Sequence, residues 1–253
     1  MDAESRKRLE LVVRCMDLTS LEQADTPETI EALCERAATP GPDVPRVAAV
    51  CVYPRLVPTA KGSLSGTGIL VAAAAGAFPS GRASIEERVS EIRGALEAGA
   101  DEIDTVLDYR ALLAGDESAV RGELEASRHA CGDHTMKVIL ETGALGTEEA
   151  VHRASSITVE SGADFIKTST GKIAVGAAPD AVRWIAETIG AGARGGGRPV
   201  GLKVAGGIRT ADQALVYLDL VEDRLGSDWA TPGRFRIGAS SLLEEVVAAL
   251  AAK

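Results

Sequence analysis

Short runs rich in Val, Ile, Leu and Ala alternate along the chain with longer helical stretches. The short runs are Val12–Leu18, Ala48–Tyr53, Ile69–Ala75, Glu102–Leu107, Met136–Glu141, Phe165–Thr168, Gly201–Val204 and Phe235–Gly238. Several are nearly continuous in apolar residues, the pattern of parallel strands covered on both faces. The intervening helices have recognisable starts. Thr26-Pro27-Glu28 supplies an N-cap, a proline at the first helical position and an acid in the first turn. Ser84-Ile85-Glu86-Glu87 and Thr210-Ala211-Asp212-Gln213 are capping boxes, the first opening a helix through Ala98. Thr147-Glu148-Glu149 places acids where a helix dipole favours them. Glu117–Cys131, Pro179–Ile189 and Ser241–Ala252 complete the helical set.

Eight strands alternating with helices predict a single-domain (β/α)8 barrel over residues 1–253, or an open doubly wound sheet. No linker or charge block divides the chain. Gly190–Pro199, rich in Gly and Arg, is expected as a surface loop on the N-terminal face of the sheet.

Composition narrows the functional classes. Aromatic residues are 3% of the chain, so the core is aliphatic and there is little for bases to stack on. A net charge of −10 disfavours a nucleic-acid binder. A phosphate group would need a local site of backbone N–H groups and a few cations. Cys15, Cys34, Cys51 and Cys131 form no CxxC pair and read as free thiols. The charged segment Met1–Glu10 has no apolar core of a leader, and the apolar stretch Ile69–Phe78 is too short to span a bilayer. The expected location is cytoplasmic, with no membrane partner.

The basic residues divide into 20 Arg and 7 Lys, and Lys137, Lys167, Lys172 and Lys203 lie in or just beyond apolar strands. Arg can neither form a Schiff base nor give up its proton near neutral pH, so lysines kept in such surroundings are candidates for chemistry. Asp164 to Lys172 reads as a strand ending in Lys167, then hydroxyls, Gly171 and Lys172: an amine beside anion ligands at a strand C-terminus. Gly201 to Thr210 places Lys203 in a strand, then Gly206-Gly207 before a capped helix, where backbone N–H groups can approach a phosphate. Gly238-Ala239-Ser240-Ser241 opens the last helix and is either a phosphate cradle or an N-cap. Strands seven and eight of such barrels commonly carry phosphate sites. In Asp101 to Val106, Asp104 is the better candidate for a buried acid, with Glu102 nearer water; a structural ion pair with a barrel lysine is the competing reading. Asp17 reads as a strand-end acid at the rim, and Cys51 as a buried structural thiol. His129, His134 and His152 do not accompany the strand C-termini. No metal and no cofactor are therefore expected, and His129, Cys131 and His134 read as a surface helix end.

Together these segments resemble deoxyribose-phosphate aldolase. The matching stretches are Met16-Asp17-Leu18-Thr19, Cys51 to Arg55, Phe78 to Gly81, Ala100 to Asp104, Lys137 to Thr142, Phe165 to Lys172, Gly201 to Thr210 and Gly238 to Ser241, in order along nearly the whole chain. The most specific is Phe-Ile-Lys-Thr-Ser-Thr-Gly-Lys. The resemblance implies a barrel enzyme that reversibly cleaves 2-deoxyribose 5-phosphate to glyceraldehyde 3-phosphate and acetaldehyde. It implies a Schiff base at Lys167, activation by Lys203 and proton relay by Asp104. Substrate and phosphate contacts would fall on Asp17, Thr19, Cys51, Thr170, Gly171, Lys172, Gly206, Gly207, Gly238, Ser240 and Ser241.

Three features depart from the family pattern. Val204 follows Lys203 where Pro or a small residue is expected, the segment before Phe78 is Ala-rich, and the chain ends Ala251-Ala252-Lys253 without a terminal Tyr. The alternatives are another Schiff-base aldolase or transaldolase on a different sugar phosphate, and a sugar-phosphate-binding barrel without turnover. Partners are then a small sugar phosphate and an aldehyde, with a homodimer as the default assembly.

Overall fold

The computed structural model describes residues 1–252. Eight parallel strands close into one barrel in chain order. They are β1 (Met16–Thr19), β2 (Ala49–Val52), β3 (Leu70–Ala74), β4 (Glu102–Val106), β5 (Thr135–Ile139), β6 (Phe165–Lys167), β7 (Gly201–Ala205) and β8 (Phe235–Ala239). The helices are α1 (Ala3–Arg14), α2 (Pro27–Ala38), α3 (Val57–Ser63), α4 (Ile85–Glu97), α5 (Tyr109–Leu113), α6 (Glu117–Cys131), α7 (Thr142–Leu145), α8 (Glu148–Glu160), α9 (Pro179–Arg194), α10 (Ala211–Leu225) and α11 (Leu242–Ala251). The closed barrel, rather than the open sheet, is therefore the fold.

The capping signals operate as their chemistry requires. Thr26, Ser84 and Thr210 each form a reciprocal capping box with the residue three positions on. Thr147 accepts from the Ala150 N–H and opens α8.

Two segments differ from the sequence reading. Residues 12–14, expected as strand, end α1. Leu9, Val12 and Val13 are buried at helical spacing and Asp2 caps the helix, so tertiary packing of one face overrides the β preference of paired valines. The expected loop at 190–199 is helical as far as Arg194. Its remainder brings Arg198 to Asp164 Oδ1 at 2.7 Å, at the N-terminal side of β6.

Strand alternation divides the barrel into two environments. Outward residues such as Val50, Val71, Ala73, Val138, Ile166, Leu202 and Val204 join the main apolar core beneath the helices. Inward positions carry Asp17, Cys51, Ala72, Ala74, Glu102, Asp104, Lys137, Lys167, Lys203 and Arg236, all buried. Barrel interiors are ordinarily filled by branched apolar side chains; this one is filled largely by charge.

A further buried cation braces the frame outside the barrel. Arg88 of α4 is fully buried and donates to the carbonyls of Gly76, Gly81 and Val106, to Thr105 Oγ1 and to Glu123. It ties the C-terminal ends of β3 and β4 to the helical layer.

Candidate active site

Register sets the pairing inside the barrel. Lys167 of β6 stands opposite Lys203 of β7, and Asp104 of β4 opposite Lys137 of β5. Small residues make room for these long side chains. A Cβ at Gly238 would come within 3.2 Å of Lys203 Cε, and one at Gly201 within 2.5 Å of the Phe165 ring.

Asp104 is the junction. Its Oδ2 accepts from Lys167 Nζ at 2.8 Å and from Lys203 Nζ at 2.7 Å, and its Oδ1 accepts from Lys137 Nζ at 2.8 Å. Lys203 also donates to Asp17 Oδ2. Asp17 Oδ1 accepts from Arg236 Nη1 at 2.6 Å, and Glu102 accepts from Arg236 Nη2 at 2.9 Å and from Lys137 Nζ at 2.6 Å.

The surroundings divide the lysines. Burial pushes Lys167 down, Asp104 opposes that and Lys203 adds to it, and the ammonium is left below its ordinary value. Burial also acts on Lys203, but Asp104 and Asp17 outweigh it and hold that lysine raised. Lys137 is likewise raised by Asp104 and Glu102 against the effect of burial. Burial alone would raise the Asp104 carboxyl; Lys137, Lys167 and Lys203 hold it well below the usual range. Asp17 is lowered against burial by Lys203, Arg236 and Lys137.

Above this layer, at the C-terminal end of the barrel, lies a cavity of about 440 Å³. Lys167 reaches its buried end. Its walls include Thr19, Thr170, Gly171, Lys172, Gly206, Gly207, Gly238 and Ser240. Gly171, Gly206 and Gly207 adopt φ of +75°, +94° and +84°, which L side chains rarely accept. Gly206 also touches Gly176: a Cβ at 176 would sit 2.3 Å from the Gly206 carbonyl oxygen. That contact packs the loop after β6 against the loop after β7. Lys172 bridges to Glu22 at 3.1 Å across the mouth.

Several expected positions need correction. Asp17 is not a rim acid; it is fully buried and lies below the cavity with Lys203 and Arg236. Glu102 is not near water: it is 2% exposed and paired, because Lys137 and Arg236 reach it across the barrel interior. Cys51 lies beside Asp104 (Sγ to Oδ2, 3.9 Å) and also stays below the cavity, its thiol raised by burial. Ser241 occupies the N-cap position of α11 but makes no side-chain cap bond, and it does not line the cavity.

Sequence reading did not single out Arg209, which lines the cavity, nor Arg236 and Glu141. Arg236 could have been flagged as an arginine inside the apolar run Phe235–Gly238. Glu141 has no such signal: it is a buried carboxylate at φ +57° that accepts from the Thr170 N–H at 3.2 Å and from its hydroxyl. It fixes the start of the loop that carries Gly171 and Lys172.

His129, Cys131 and His134 lie at the C-terminal end of α6, where His134 Nδ1 lies 3.1 Å from the Cys131 carbonyl oxygen. Elsewhere, Glu148, His152 and Glu187 face one another on α8 and α9 at the outer surface. Among the described residues no helix is long and apolar enough to cross a membrane.

A closed β/α barrel with a cavity at its C-terminal mouth, Lys167 at the end of that cavity and a network of buried lysines and carboxylates beneath it, has the architecture of a barrel enzyme. More particularly, the chain belongs to the DeoC/LacD family of aldolases, whose family model matches residues 11–244. Among solved structures, a candidate deoxyribose-phosphate aldolase from Toxoplasma gondii ME49 superposes with a TM-score of 0.85 at 26% identity, covering 97% of each chain. A second, from Coccidioides immitis, gives a TM-score of 0.80 at 29% identity, covering 94% of this chain and 86% of that one. The deoxyribose phosphate aldolase of Aeropyrum pernix, described as tetrameric, gives 0.75 at 25% identity over 100% of this chain and 99% of that one.

Proposed function

We propose that the protein is a Schiff-base aldolase that reversibly cleaves 2-deoxyribose 5-phosphate to glyceraldehyde 3-phosphate and acetaldehyde. The observation that carries this reading is Lys167. It is a buried lysine depressed by its surroundings, it reaches the end of the cavity, and Asp104 and Lys203 lie within one hydrogen-bond network of it.

Only a neutral amine attacks a carbonyl, so a depressed lysine is a nucleophile where an ordinary one is an inert ammonium. Lys167 Nζ adds to the aldehyde carbon of the open-chain sugar, and the carbinolamine loses water to give an iminium. The C3 hydroxyl gives up its proton, the C2–C3 bond breaks, and its electrons flow into the iminium to form an enamine. Glyceraldehyde 3-phosphate leaves. A proton returns to the enamine carbon, and water hydrolyses the acetaldehyde iminium. Asp104, which accepts from both Lys167 and Lys203 on one oxygen, is the group assigned to these proton transfers in this reading. Positioned acid–base groups contribute on the order of 10²–10⁴-fold.

The rim supplies the other half of the site. The N–H groups around Gly171, Gly206 and Gly207, with Ser240, Lys172 and Arg209, suit a phosphate. Holding that group would fix the reacting carbon over Lys167.

Borohydride trapping with acetaldehyde, followed by peptide mass spectrometry, tests the chemistry. The expected product is an ethyl group on Lys167. No adduct, with deoxyribose phosphate left uncleaved in the same buffer, overturns the reading. Parallel assays with longer ketose phosphates distinguish this substrate from other sugar phosphates.

A further inference from the structure

Four cations and three carboxylates share the barrel interior. The cations are Lys137, Lys167, Lys203 and Arg236; the carboxylates are Asp17, Glu102 and Asp104. None is more than 4% exposed. An unbalanced charge in such a place is costly, because water cannot screen it. The set therefore holds one proton too many if every lysine is an ammonium.

Geometry decides which cation yields. Arg236 cannot release a proton at any ordinary pH. Lys137 donates to two carboxylates, Glu102 at 2.6 Å and Asp104 at 2.8 Å. Lys203 also donates to two, Asp17 and Asp104. Lys167 has one, and it shares that oxygen of Asp104 with Lys203. It is the least compensated cation of the group.

We propose that the charge count of the whole buried network sets the protonation of Lys167, with Lys137 and Arg236 acting as remote positioning residues. Neither lines the cavity or donates to Lys167. Lys137 acts through Asp104. Arg236 acts through Asp17 and Glu102, which are thereby committed elsewhere. The proposal rests on the Schiff-base reading of Lys167 and adds the residues that keep its amine free.

The titratable groups that share the barrel interior with Lys167 come from nearly every strand. They are Asp17 from β1, Cys51 from β2, Glu102 and Asp104 from β4, Lys137 from β5, Lys203 from β7 and Arg236 from β8; β3 presents only Ala72 and Ala74. Glu141 lies beyond β5, and Lys172 and Arg209 line the cavity mouth. Cys51 stays a neutral thiol, so it does not alter the count.

The test uses the sign of each change. Lys137→Met leaves three cations and three carboxylates, so Lys167 keeps its proton. Glu102→Gln leaves four and two, which drives the proton off more strongly. The double variant leaves three and two, and the excess of one returns. The readout is competitive acetylation of Lys167 against pH, quantified by peptide mass spectrometry on the intact folded protein. It needs no aldolase activity. The midpoint for Lys167 is expected to rise by about one to three pH units in Lys137→Met, the range a neighbouring charge produces. It should fall in Glu102→Gln and return towards wild type in the double variant. A midpoint unmoved in both single variants, with melting curves showing folded protein, overturns the proposal. Should Lys137→Met not fold, an unmoved midpoint in Glu102→Gln overturns it alone. Acetaldehyde trapping on the wild-type protein is run beside it: loss of trapping with the midpoints moving as expected sinks the aldolase reading and leaves the charge count standing.

Discussion

Lys167 and Lys203 stand side by side on neighbouring strands and donate to the same oxygen of Asp104, at 2.8 and 2.7 Å. Two ammonium groups on one carboxylate oxygen cannot be equally compensated. Lys203 has Asp17 as a second partner and Lys167 has none. The asymmetry separates a nucleophile from a fixed cation, although both are lysines at the same depth of the barrel.

Lys203→Leu removes the fixed cation and the proton path together. Turnover of deoxyribose phosphate is expected to fall by about 10²–10⁴-fold, the usual contribution of a positioned acid–base group. KM should change far less, because Lys203 does not line the cavity. Steady-state kinetics separates the two. A rise in KM with kcat preserved would mean that Lys203 binds substrate.

Gly176→Ala and Gly207→Ala test the rim. A Cβ at 176 would meet the Gly206 carbonyl oxygen at 2.3 Å and push the two loops apart, whereas a Cβ at 207 meets nothing within 4 Å and strains only the backbone at φ +84°. Gly176→Ala is expected to raise KM for the phosphorylated sugar by about tenfold or more, equivalent to ~1.4 kcal/mol of lost binding. Trapping of unphosphorylated acetaldehyde on Lys167 should be spared. Equal effects in the two variants would argue against a phosphate grip built on loop packing.

Glu141→Ala leaves the Thr170 N–H and hydroxyl without their partner in a buried place. The expected cost is about 1–3 kcal/mol of stability, read from the urea midpoint. Burial raises this carboxyl against its bonds to Thr170. Glu141→Gln keeps one acceptor oxygen for the Thr170 N–H, and its amide N–H can donate to the Thr170 hydroxyl in place of the bond that is lost, so it should lose much less.

Arg88→Met should cost about 3 kcal/mol or more, because a fully buried cation leaves three carbonyls and Glu123 behind it. Thermal melting reads the effect. A melting temperature within a degree or two of wild type would mean that water takes over the arginine's role.

Stability should fall in acid through the buried carboxylates. Asp17 and Asp104 are held below their ordinary values in the folded chain. Their contribution is complete above the unfolded carboxyl value of about 3.9 and is lost as pH falls towards their folded values. Urea unfolding is expected to show little change from pH 7 to pH 5 attributable to this pair, and a marked loss below about pH 4. Asp17→Asn should flatten part of that acid limb.

The strand–helix alternation, the capped starts of the helices at Pro27, Ile85, Glu148 and Ala211, and the lysines held among apolar neighbours are all legible in the amino-acid sequence. Those features are local: periodicity, capping chemistry and a lysine held among apolar neighbours are written in a few consecutive residues. The same locality misleads at the first strand, because Val12 and Val13 look β-like until a helix face buries them. Which charges meet depends instead on closure of the barrel. Barrel closure brings Asp17 to Arg236, 219 positions away, and Asp104 to Lys203, 99 positions away. No short-range pattern records that Asp17 and Glu102 lie buried inside the barrel rather than near water. Their burial follows from strand register and from the small residues opposite them, and both exist only once all eight strands have paired.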